Sequence, residues 1–172
     1  SVPSQSILII DDEKSIRQSL KGILNDEGYQ ALLAEDGPAG LELASRENPD
    51  LVLLDVAMPG MDGTEVLANL KKSFPFIPVI IMTGHGSIDL AVRAIKMGSY
   101  DFLEKPLEMD KLLLTVQNAL NFGALQRENY FLKQKIEKQY AFIGNSAPIK
   151  QLRQQIEQAA PTDAWVLIFG EN

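Results

Sequence analysis

A doubly wound α/β domain on a five-stranded parallel sheet, extended by a C-terminal linker helix, is the fold this sequence predicts. Two observations carry the prediction. Short, unbroken apolar runs alternate with segments of helical period, and each run reads as a strand buried on both faces of a parallel sheet. Each run also ends in a polar or charged residue before a turn-forming stretch, so chemistry gathers at the strand ends.

The first run is Ser6-Ile7-Leu8-Ile9-Ile10, which delivers Asp11-Asp12-Glu13. From Lys14 the period changes: Ile16, Leu20, Ile23 and Leu24 fall on one helical face, stopped near Gly28. Tyr29 to Ala34 is a short strand, and Pro38 to Ser45 a helix with its proline suited to the first turn. Leu51-Val52-Leu53-Leu54 is the most apolar run; it ends in Asp55 and the loop Met58-Pro59-Gly60-Met61-Asp62-Gly63. A helix from Thr64 to Ser73, a strand from Ile77 to Met82 ending in Thr83-Gly84, and a helix from Ser87 to Met97 closed by Gly98 follow. Tyr100 to Leu103 is the fifth strand, ending at Glu104-Lys105-Pro106, and another helix begins near Met109. Five strands alternating with five helices give the doubly wound sheet over residues 5–121.

Leu113, Val116 and Leu120 make an apolar stripe that covers the sheet. Beyond it, Phe122, Leu125, Asn129, Leu132, Ile136 and Gln139 recur at alternating spacings of three and four, as the seam of a two-stranded coiled coil does. Residues 122–140 therefore read as a dimerising linker helix, with Asn129 at a seam position fixing register. Gly123 is expected to mark where the fifth helix ends and the linker turns away. Residues 141–172 hold a loop, a helix over Ala147–Ala159 and an apolar run, Trp165-Val166-Leu167-Ile168-Phe169. A helix and a strand cannot bury a core of their own, so this stretch reads as the opening of a further domain.

Composition narrows the chemistry. The chain has no cysteine and a single histidine, His85, which excludes disulfides, thiolate catalysis and a histidine-based metal site. No apolar stretch is long enough to span a membrane, and no charged-then-apolar leader opens the chain, so the cytoplasm is the expected location. Residues 1–110 carry 18 acids against 9 bases, a poor surface for nucleic acid, whereas residues 111–140 carry 5 bases against 2 acids.

In a parallel sheet all strand C-termini open at one edge, which gathers Asp11, Asp12, Asp55, Thr83 and Lys105 around one crevice. Carboxylates this close repel one another unless a cation joins them, and oxygen-only ligation suits Mg²⁺. A carboxylate can attack phosphorus to form an acyl phosphate, and a lysine ammonium and a hydroxyl can then neutralise the phosphoryl oxygens. Asp12 would sit on the metal, with Asp11 nearby or acting through water. Asp55 would be nucleophile and ligand, and Thr83 and Lys105 would hold phosphoryl oxygens.

At these residues the chain resembles a response-regulator receiver domain, over residues 5–121. The resemblance rests on the Asp11-Asp12 pair, Asp55 with Met58-Pro59-Gly60-Met61-Asp62-Gly63, Thr83-Gly84 and Lys105-Pro106. It implies the flavodoxin-like strand order 2-1-3-4-5 and transfer of a phosphoryl group to Asp55 from a phosphohistidine on a sensor histidine kinase. It implies also Mg²⁺ held in part by the backbone carbonyl of Ala57, and a cis bond before Pro106. Phe102 stands where many receivers carry Tyr; it keeps the ring that can swing inward when Thr83 moves, without the hydroxyl.

The remainder is similar to enhancer-binding activators of the nitrogen-regulator type, in which a receiver and helical linker precede an AAA+ ATPase acting on sigma-54 RNA polymerase. Phe142-Ile143-Gly144-Asn145-Ser146 and Val166-Leu167-Ile168-Phe169-Gly170-Glu171-Asn172 resemble the opening of that ATPase, with Gly170 as the first glycine of its phosphate loop. The loop's lysine is not reached, so these residues are expected neither to bind nor to hydrolyse ATP, and they carry no DNA-binding helix-turn-helix pattern. The heptad spacing makes a homodimer through the linker helix the expectation, and phosphorylation at Asp55 is expected to bias the face of the fourth helix, fifth strand and fifth helix, a second candidate dimer surface. Two rivals are weighed against this reading. A Mg²⁺-dependent phosphohydrolase would want a second acid where Ala57 stands, and a flavin module would meet repulsion from the acidic crevice.

Overall fold

Period-two alternation inside unbroken apolar runs decides the layering. Along a strand, successive side chains point to opposite faces, so a run such as Ile7 to Ile10 must be covered on both sides. The computed structural model, which describes residues 2–60, 62–141 and 147–159, shows that covering. Strands β1 (Ser6–Ile10), β2 (Gln30–Ala34), β3 (Leu51–Asp55), β4 (Val79–Thr83) and β5 (Asp101–Glu104) form one parallel sheet in the order β2-β1-β3-β4-β5. Between and after them run helices α1 (Lys14–Asp26), α2 (Gly37–Glu47), α3 (Gly63–Ser73), α4 (Ile88–Lys96), α5 (Met109–Tyr140) and α6 (Ala147–Ala159).

One face of the sheet, with Leu8, Ile10, Val52, Leu54 and Ile81, packs under α2, α3 and α4 through Ala44, Val66, Leu67, Leu70 and Ala94. The other, with Ile7, Ile9, Leu51, Leu53, Ile80 and Met82, packs under α1 and α5 through Leu20, Leu24, Leu112, Val116, Ala119 and Leu120. The register sets Asp55 opposite Met82 and Thr83 opposite Glu104, so the strand ends finish together at one edge.

Element ends follow local chemistry. Helix α2 starts before Pro38, at Gly37, because the Asp36 carboxylate accepts from the Ala39 N–H at 2.8 Å. It runs past Ser45 to Glu47 and is turned off by Asn48, which takes a left-handed φ of 46°. Strand β4 begins at Val79 rather than Ile77: Pro78 has no N–H to donate, although its carbonyl still accepts from Val52 at 3.0 Å. In α1, Leu20 and Leu24 are buried while Ile16 and Ile23 are only half covered.

The expected break at Gly123 is not there. Helix α5 continues through it to Tyr140, and Gly123 is buried. A Cβ on Gly123 would lie 2.9 Å from Pro78 Cδ and 3.3 Å from the Phe76 carbonyl oxygen. The glycine serves close approach of the helix to the loop before β4, not a hinge. By contacts the chain divides into two compact units, Ser1–Asn129 and Tyr130–Asn172, and α5 contributes residues to both. The strand expected at 165–169 and the loop at 142–146 lie outside the described residues.

Glycine to alanine in a helix interior ordinarily gains about 1 kcal/mol. At position 123 the proline ring cannot yield as a flexible side chain would, so Gly123→Ala is expected to lower the thermal midpoint of the chain. A rise, measured by circular dichroism, would show that the helix does not press on Pro78.

Candidate functional site

Three strands carry the acids and the base of the site to one place. Asp11 follows β1 directly, Asp55 ends β3, and Lys105 follows β5. Asp11 is fully buried and Asp55 is 3% exposed, whereas Asp12 faces solvent. One carboxylate oxygen from each of Asp11, Asp12 and Asp55 lies within 4.8 Å of the others, the geometry of a metal-ligating cluster. The Lys105 ammonium donates to Asp11 Oδ2 at 2.8 Å and to Asp55 Oδ2 at 3.2 Å. Thr83 ends β4 beside them, its hydroxyl donating only a long bond, 3.5 Å, to the Leu103 carbonyl.

Local turns hold these groups. The Glu13 N–H donates to Asp11 Oδ1 at 2.9 Å and the Ala57 N–H to Asp55 Oδ1 at 2.9 Å, so each acid folds the backbone after it around its own carboxylate. Asp62 caps α3, accepting from the Thr64 N–H and hydroxyl, and those bonds hold its carboxyl below the ordinary range. Gly63 follows because a Cβ there would meet Val56 Cα at 2.4 Å. The bond between Lys105 and Pro106 is cis.

Burial sets the electrostatics. It pushes the Asp55 carboxyl upward, and the Asp11 charge adds to this, against the Ala57 N–H and Lys105, which pull the other way. Burial alone would lower Lys105, but the hydrogen bond to Asp11 and the charges of Asp55 and Asp11 prevail and raise it. The ammonium is thus firmly charged between two carboxylates. Three acid oxygens this close, with one cation shared by two of them, fit a hard divalent cation such as Mg²⁺. Phe102, one strand over on β5, is half-buried and packs on the core beneath α2, α3 and α4.

The profile described as "Response regulator receiver domain" matches residues 7–117. The chain belongs to that family. It is 40% identical over 171 residues to the nitrogen assimilation regulatory protein NtrX of Azorhizobium caulinodans, covering 98% of this chain and 37% of that protein. It is similarly 40% identical over 166 residues to the transcriptional regulatory protein ZraR of Klebsiella oxytoca, covering 96% and 37%. The crystal structure of NtrX from Brucella abortus in complex with ADP superposes with a TM-score of 0.72 at 41% identity, over 93% of this chain and 36% of that one. The receiver domain of the same Brucella protein gives 0.65 at 43%, over 67% of this chain and 98% of that one. The receiver and its extension thus span little more than a third of the length of these full-length relatives.

Within this receiver, two contacts escaped the reading of the sequence. Arg17 on α1 donates to the carbonyls of Asp11 at 2.8 Å and Asp12 at 3.0 Å, bracing the acidic turn from behind. Its only sequence signal is a base in the first helical turn after an acidic run. His85, two residues beyond Thr83, meets Glu104 at 2.8 Å, which no spacing rule predicts because the partners lie on different strands' exits.

A carboxyl whose folded pKa is raised stabilises the fold only at low pH, and that stability is lost as pH rises through the folded value. In metal-free buffer Asp55→Asn is therefore expected to raise the thermal midpoint at neutral pH. The margin should shrink as pH falls toward the ordinary carboxylate value near 3.8. A variant less stable than the parent across that whole range would mean the Lys105 pairing outweighs burial.

Proposed function

We propose that the receiver takes a phosphoryl group on Asp55 from a phosphohistidine of a sensor histidine kinase, in a Mg²⁺-dependent reaction. The observation that carries this reading is the placement of a buried aspartate between two further acids and a lysine ammonium, with a weakly bonded threonine hydroxyl alongside. Asp11, Asp12, Asp55 and the Ala57 carbonyl would hold the ion. When bound, it supplies positive charge to the phosphoryl oxygens in the transition state.

The chain's own residues do the rest. An Asp55 carboxylate oxygen attacks phosphorus in line with the departing imidazole nitrogen, so a P–O bond forms as the P–N bond breaks. The Lys105 ammonium exchanges its bond to Asp55 for one to a phosphoryl oxygen, keeping Asp11 as its partner. The Thr83 hydroxyl, held at 3.5 Å by Leu103, gives up little when it turns to another phosphoryl oxygen. Its departure opens space that the Phe102 ring can follow inward.

That motion would reach the face of α4, β5 and α5, where Ile88, Val92 and Ile95 of α4 are exposed. Farther along α5, Phe122, Leu125, Asn129, Leu132 and Ile136 keep the heptad spacing and are all exposed, as an unpaired coiled-coil seam would be. Phe122 has a second contact, its ring centroid lying 5.2 Å from that of Tyr100. We assign residues 5–121 to the receiver, 122–140 to a dimerising linker and 141–172 to the start of an AAA+ ATPase. In the whole protein, a cytoplasmic homodimer, the receiver would thereby govern a sigma-54-dependent transcriptional activator, DNA and polymerase being met through other domains.

Acetyl phosphate with Mg²⁺ should label the chain, and Asp55→Asn should abolish that labelling, read by intact-mass spectrometry. Undiminished labelling of the variant would remove Asp55 from the reaction. Light scattering should give a dimer for the parent chain and a monomer for Leu132→Glu with Ile136→Glu; an unchanged mass would place the interface elsewhere.

A further inference from the structure

A cavity of about 520 Å³ opens where β4 and β5 begin, the edge of the sheet opposite Asp55 and Lys105. Its size is that of a small-molecule site. Pro75, Phe76, Pro78, Tyr100 and Phe122 give it an apolar lining made largely of flat rings. Lys71 is the one charged residue of the lining, and no acid joins it, although acids outnumber bases two to one over residues 1–110.

Two polar groups at this cavity lack the partners their chemistry calls for. The Lys71 ammonium has three donors; the carbonyls of Pro75, at 3.2 Å, and Ile77, at 3.4 Å, take two of them through long bonds. Ser99, also in the lining, is 7% exposed, and its Oγ is buried with no hydrogen-bond partner. Buried hydroxyls are almost always satisfied, by protein or by ordered water. Gln126 adds an exposed amide at the rim.

We propose that this cavity binds a small planar monocarboxylate, whose carboxylate pairs with Lys71 and whose ring lies against Tyr100, Phe122 and the prolines. Gln126 supplies a further hydrogen bond at the rim. A phosphate ester or other dianion is a poorer fit, because one lysine is the only cation and the lining has neither an arginine fork nor a second base. A wholly apolar ligand would leave the third donor of Lys71 unused. Burial pushes the Lys71 amine below its ordinary range, and an anion beside it returns it toward the charged form. The ligand would also touch α5 through Phe122, one residue before the glycine that seats that helix on Pro78. A small acid could therefore act on α5 without involving Asp55.

The test is a titration of the full chain with benzoate, 4-hydroxybenzoate and indole-3-carboxylate, followed by amide shifts in two-dimensional NMR spectra. Benzamide is the neutral match and acetate the match without a ring. At least one ring carboxylate should give saturable shifts centred on Ser99, Tyr100 and Gly123, with a Kd of about 1 mM or tighter. Benzamide and acetate should bind at least about tenfold more weakly, and Lys71→Met, with its spectrum still dispersed, should weaken the acid to a similar degree. Equal binding of benzoate and benzamide by the unaltered chain, which needs no substitution, overturns the proposal. So does the absence of saturable shifts with all three ring carboxylates.

Discussion

A single ammonium holds the working edge of this receiver together. Lys105 reaches Asp11 across 94 residues of sequence and Asp55 across 50, and both carboxylates are almost wholly shielded from water. Two buried acids side by side would drive each other toward protonation, so the sheet tolerates them only with a cation between. The strand order makes the contact possible. With β4 standing between β3 and β5, the lysine leaves the exit of β5 and meets acids that reach toward it from the exits of β3 and β1. A shorter base, or a lysine one residue away on the opposite face, would leave the acids unpaired.

Such a pair is weak evidence for stability, because desolvating charges offsets much of what their attraction contributes. Its value lies in poise. The Asp55 carboxyl is pushed up by burial while an ammonium and a backbone N–H pull it back, which leaves a carboxylate that gains by acquiring a better partner. Thr83 is held only by a long bond of 3.5 Å, whereas Arg17 is fixed to the carbonyls of Asp11 and Asp12 at 2.8 and 3.0 Å.

Most of the fold was legible because strands buried on both faces leave an unmistakable run of apolar residues. Asp11, Asp55, Thr83 and Lys105 were legible for a related reason: strand ends in a parallel sheet share an edge, so position in sequence implies position in space. Where the reading failed, the deciding atoms lay far away in sequence. Gly123 looks like a helix break by propensity, yet its role is set by Pro78. Asp36 rather than Pro38 opens α2, and Asn48 closes it by a backbone conformation that composition does not announce. His85 meets Glu104, and Lys71 and Ser99 share a cavity, because segments distant in sequence come together in space.

In the proposed reaction Asp55 is the one acid of the cluster that forms a bond to phosphorus. Mapping the phosphorylated residue decides it most directly: the chain is treated with acetyl phosphate, the acyl phosphate is trapped by borohydride reduction, and the reduced residue is located by peptide mass spectrometry. Reduction is expected at Asp55 alone, and only when Mg²⁺ is present. Reduction at Asp11 or Asp12, or at Asp55 in metal-stripped buffer, would contradict that expectation.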